Sequence, residues 1–185
     1  MQAIKIADDI SLISVQRNAR AGLAQSYLLQ NELVNARTII EVALQYDVQQ
    51  DDYDASALHG IIALRQGDEV AARGAFVRAI GQADEILSKT AEYYSALDAK
   101  GLALCGLAIC GEDGGRKTVD GGSENLDDGQ RSTVYRQQAI ETFQKARKIA
   151  PHAGVVKSVL RLFDELAKCD SEGILKGVRE AVEGK

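Results

Sequence analysis

Small and apolar residues recur along this chain at spacings of three and four, broken by short polar turns, which is the period of helices that bury one face. The clearest run carries Ala24 and Tyr27, then Ala36, Ile40 and Ala43, with the polar turn Gln30-Asn31-Glu32 between them. The arrangement returns after 36 residues as Gly60 and Ala63, then Ala72, Phe76 and Ala79, about the turn Gln66-Gly67-Asp68. In each copy the small residues of a first helix admit a second helix closely, and the stripe on that second helix packs back on the first. Each copy therefore predicts an antiparallel helix hairpin.

A third second helix follows at Ala139, Phe143 and Ala146 before Pro151, and Ala103 with Gly106 marks its first helix. Ala103 to Ala139 is 36 residues where Ala24 to Ala36 is 12, so an insertion separates the two helices, mostly between 111 and 130. Ala79 to Ala103 is 24 residues where Ala43 to Gly60 is 17, which predicts about two extra helical turns near residues 82–94. Beyond Pro151, Val155, Val156, Val159, Leu160, Phe163 and Leu166 form one helix face. Ser171 is placed to cap a last helix with Ile174, Leu175, Val178 and Val182 inward.

The pairing of Leu23-Ala24 and Tyr27 with Ala36-x3-Ile40, and of Gly60 with Ala72-x3-Phe76, resembles the tetratricopeptide repeat family. That family places Leu-Gly and then Tyr on the first helix, and Ala-x3-Phe followed by Pro on the second. Arg20 stands where the family has its early tryptophan, and Val48 and Asp84 stand where the first two copies would carry the closing proline. The resemblance implies an all-α fold: an α-solenoid of about three hairpins, at 17–46, 53–82 and 94–150 with a flexible loop at 111–130, closed by capping helices over 152–185, in one domain spanning 1–185.

It also implies a concave groove lined by the first helix of each repeat. By offset, the groove residues are Asn18, Gln25 and Leu29, then Asp54, Ile61 and Arg65, then Lys100, Leu104 and Ala108. Family members that grip the carboxyl tail of chaperones use lysines and asparagines there. Here only Asn18, Arg65 and Lys100 are of that kind, set among Leu29, Ile61 and Leu104, so the expected partner is an apolar or mixed peptide or a helix.

Composition narrows the function classes. With 45% hydrophobic residues in 185, frequent Ala and Leu and no alternating β-branched runs, helix is favoured over sheet. Lys+Arg 22 against Asp+Glu 27 gives a formal charge of -5, which argues against a surface for nucleic acid. Asp8 and Asp9 interrupt the apolar N-terminal stretch, and no run approaches the roughly 18 apolar residues of a membrane span, so neither a signal peptide nor a membrane helix is expected. Three cysteines, Cys105, Cys110 and Cys169, in apolar helical surroundings suit a reducing compartment, and the expected location is the cytoplasm.

No motif carries catalysis. His59 and His152 are far apart without a cysteine or carboxylate set beside them, so neither is expected to ligate a metal; His59 is expected as a hydrogen-bonded or half-buried structural histidine and His152 at the surface. Cys105 and Cys110 lie about 500° apart around one helix, a poor disulfide geometry and a natural core position. The glycine-rich stretch 111–130 contains Lys117-Thr118, but Arg116 replaces the glycine that a phosphate loop needs and no strand precedes it. Its acidic residues Asp120, Glu124, Asp127 and Asp128 miss the spacing of a calcium loop. The expected function is therefore protein–protein interaction without cofactor, metal or catalytic residues; a regulatory or self-assembling segment of a larger signalling protein, forming homo-oligomers, is the alternative, and nucleotide binding at 111–130 the remote one.

Overall fold

The computed structural model describes residues 13–46, 52–110 and 128–185. Among them lie eight helices and no strand: α1 (Ile13–Leu29), α2 (Leu33–Ala43), α3 (Asp52–Arg65), α4 (Glu69–Lys89), α5 (Tyr94–Ile109), α6 (Asp128–Ile149), α7 (Ala153–Ala167) and α8 (Val178–Glu183). The described residues are thus all-α. Each helix from α1 to α5 packs on the next, and α3 also packs on α1 and α5. The expected extra turns are present, because α4 continues ten residues past Ala79 to Lys89.

The first two hairpin turns are geometric copies at the 36-residue interval. Asn31 has φ 62° and Gly67 has φ 78°, the left-handed conformation that ends a helix most cheaply with Gly or Asn. Around them the amides repeat: Asn31 N–H donates to Leu28 and Glu32 N–H to Tyr27, as Gly67 N–H donates to Leu64 and Asp68 N–H to Ala63. Both are the paired closing bonds that satisfy the last carbonyls of a helix. Asp68 then caps α4 by accepting from Ala71 N–H at 3.0 Å.

Small residues on the first helices are filled by rings from the second. An added Cβ at Gly60 would sit 2.4 Å from the Phe76 ring, and one at Gly106 would sit 2.2 Å from the same ring. Phe76, on α4 and fully buried, is thus wedged between α3 and α5. Phe143 on α6 repeats the device against Gly101, at 2.6 Å. Gly101, two residues before Ala103, is therefore the third counterpart of Gly60, and the third copy's offsets shift accordingly.

α3 and α5 are buried almost all round: every residue from Ala55 to Leu64 is inside, and from Ala96 to Ala108 all but Lys100. A helix apolar on all sides lies in the centre of a stack. α7 explains the burial on the side away from the second helices. Instead of stacking on α6 as a further layer, it packs on α3 and α5, bringing Val159, Phe163 and Leu166 into the core.

At the C-terminus the structure corrects the expected helix from Ser171. Residues 171–177 are turns, with Gly173 and Gly177 at φ 72° and 86°, and Asp170 accepts from the amides of Ile174 and Leu175 at 2.8 Å each. Only Val178–Glu183 is helical; Leu175, Val178 and Val182 are buried as the pattern indicated. α8 packs on α6 and α7. The expectations for 111–127 and for Asp8, Asp9 and Val48 lie outside the described residues, while 128–130, read as loop, form the first turn of α6.

Candidate functional site

The residues expected along the inner face divide into three groups. Asn18, Leu29 and Asp54 are exposed and Gln25 half-buried. Asn18 and Asp54 are drawn together by Arg17, a cation 1% exposed that sequence reading passed over. Its Nη1 donates to Asn18 Oδ1 and its Nη2 to Asp54 Oδ1, both at 2.6 Å, and its Nε lies 3.3 Å from Asp52. The guanidinium fork thereby joins α1 to α3.

Ile61 and Leu104 form the second group, and for them the groove assignment is corrected. Both are core residues, at 0% and 2% exposure, because α7 packs on their helices. Ala108 is likewise buried. Lys100 is engaged sideways, its Nζ 2.5 Å from Asp84 on α4.

Arg65 stands apart as the point where hairpins, α7 and solvent meet. Its Nη2 donates to Asn31 in the first turn at 2.7 Å, and its Nη1 ion-pairs with Glu165 of α7. Glu165 is 3% exposed and is held from its own helix by Lys168 at 2.6 Å. A carboxylate taken out of water needs such partners to remain charged.

Arg65 also lines an open cleft of about 800 Å³. Its walls come from the C-terminal ends of α3 and α5 (Arg65, Ala108), the start of α6 (Ser132, Arg136) and the turn after α7 (Cys169, Asp170). Ser132 fixes one wall by donating to the Ala108 carbonyl at 2.7 Å. Of the residues expected along the inner face, Arg65 and Ala108 line this cleft.

Other buried polar groups serve the fold. Asp98 on α5 and Arg147 on α6 form an ion pair with both residues inside, and the aliphatic stem of Arg147 supports Gly184 near the C-terminus. Burial pushes the Asp98 carboxyl up to about 6 against the pull of Arg147. His59 departs from expectation: it is buried rather than half-buried, and neither ring nitrogen has a hydrogen-bond partner among the described residues. Burial, and then the cations Arg37 and Arg78, lower its affinity for a proton. His152 is exposed at the start of α7.

Burial also raises all three thiols, that of Cys110 to about 12, which opposes thiolate chemistry. Among the described residues no three His, Cys, Asp or Glu side chains gather as a metal site, and no helix is long and apolar enough to cross a membrane. Comparison with protein-family models, curated proteins and solved structures returns no match.

Proposed function

We propose that the chain is a protein-interaction module built of tetratricopeptide-like helix hairpins, acting in the cytoplasm without catalysis and receiving a peptide or helix of a partner at its inner face. The observation that carries this reading is the cleft at Arg65. There a cation from the expected partner-binding set, already engaged with a carboxylate, stands at the mouth of a space of about 800 Å³. Support for the hairpin reading comes from the two turns copied at 36 residues and from the ring-into-glycine contacts of Phe76 and Phe143.

A peptide library displayed on phage and panned on the full chain tests the proposal. Enriched peptides are expected to bind the wild type and to lose about tenfold or more in affinity to Arg136→Glu, which reverses a charge on the cleft wall; 1.4 kcal/mol is about one such factor. Failure to enrich any sequence, or enriched peptides indifferent to Arg136→Glu, would count against it.

A further inference from the structure

We infer that α7 is a resident, exchangeable ligand of the inner face, and that the partner is an amphipathic helix of the same pattern: apolar at i, i+4 and i+7, with an acid at i+6 to take Arg65. This deepens the proposed function and rests on it. The pattern is that of Val159, Phe163, Leu166 and Glu165, the buried residues of α7.

Four observations converge. First, α7 covers the face of α3 that carries Arg65, the face that the proposed function gives to a partner. Second, α7 buries four of its fifteen residues, a share like that of α2 (three of eleven), where α3, which it covers, buries eleven of fourteen. Elements with few buried apolar contacts open before the rest of a fold. Third, α7 is joined to α6 only by the short link Ala150-Pro151-His152, of which Pro151 and His152 are exposed. Fourth, its one buried charge is paired with a residue that also lines the open cleft, so an incoming carboxylate reaches Arg65 from solvent while Glu165 still holds it.

Departure of α7 alone would expose the apolar flanks of α3 and α5, a patch that a soluble protein does not leave bare. Exchange for a helix of equal pattern leaves no such patch. The tether keeps α7 at an effective concentration in the millimolar range, so a free helix competes only when it binds better or when α7 is weakened.

The test uses a fluorescein-labelled peptide of residues 152–169, with Cys169→Ser to prevent oxidation, titrated into the full chain and followed by anisotropy. Glu165→Arg in the chain sets a cation against Arg65 and loosens α7 without altering the acceptor face. The wild-type peptide is expected to bind this variant at least tenfold more tightly than the wild-type chain, and a peptide carrying Glu165→Arg is expected to lose that gain. Equal binding to both chains, or equal binding of both peptides, overturns the inference.

Glu165→Gln, of nearly the same volume, gives the same order with a smaller ratio and serves if the charge reversal melts the fold. If both substitutions melt α3 together with α7, the helix is not exchangeable and the inference is overturned. Failure of the broader reading is distinct: no displayed peptide binds at all. Failure of this inference alone is a set of cleft-binding peptides whose affinity Glu165→Arg leaves unchanged.

Discussion

Arg147→Met is expected to destabilise the protein by about 3–5 kcal/mol at pH 7, because it leaves the Asp98 carboxylate inside the α5–α6 interface without its counter-charge. For a chain of this size that is a fall in Tm on the order of 10 °C. The loss should itself depend on pH, with a sign fixed by the raised carboxyl. A carboxyl that holds its proton more tightly in the folded state costs nothing at low pH. The cost grows as pH rises from the unfolded value and is complete above the folded one, about 6 in the wild type.

Removing Arg147 takes away the charge that pulls this value down, so it rises further, and Asp98 in the variant stays neutral to higher pH. Urea unfolding followed by circular dichroism should therefore show the deficit of Arg147→Met to be smaller at pH 5 than at pH 7 by about 1.4 kcal/mol, the linkage over the one pH unit above the wild-type value. Asp98→Leu with Arg147→Met should recover most of the loss, since an apolar pair of similar volume replaces a buried ion pair at little net cost. A deficit constant across this pH range would mean that Arg147 acts by packing alone.

Phe76→Ala is expected to cost about 3–5 kcal/mol, at the upper end for a core aromatic. The reason lies in its neighbours. Two of the surfaces around the ring are glycines, Gly60 and Gly106, which have no side chain to relax into the cavity. The same geometry predicts a reversal of sign. In the wild type, Gly60→Ala or Gly106→Ala drives a methyl into the ring and should destabilise by about 1–3 kcal/mol. In the Phe76→Ala background that methyl enters empty space, and alanine favours helix over glycine by about 1 kcal/mol, so each change should be neutral or stabilising. Thermal unfolding of the four combinations with Gly60→Ala measures the coupling; additive effects would show that the ring does not lie between the two helices.

How much of this was legible in the chain varies residue by residue. Gly60, Ala72 and Phe76 announced both a hairpin and its close approach, because spacing and side-chain size are written locally. The turns at Asn31 and Gly67 were also readable, since few residues adopt the left-handed conformation at low cost. Register in the third copy was not. Ala103 and Gly101 are both small, and the choice between them is made by Phe143, 42 residues away across an insertion.

Long-range polar partners were equally hidden. Asp98 is the lone acid within an apolar helix, but nothing local points to its partner Arg147. The stripe of α7 identified its buried face, yet not what that face covers: periodicity is blind to which neighbour a helix meets. Ile61 and Leu104 were therefore read as open groove when they lie in the core.

The claim that the inner face is filled by α7 rests on the ion pair between Arg65 and Glu165, and a double-mutant cycle tests it most directly. Arg65→Met, Glu165→Met and the double variant are compared with the wild type by urea unfolding at pH 7. Placement of α7 across α3 predicts a coupling of about 0.5–3 kcal/mol, with the double variant more stable than the sum of the single losses implies. Additivity within about 0.3–0.5 kcal/mol, the behaviour of sites that share no contact, would contradict it.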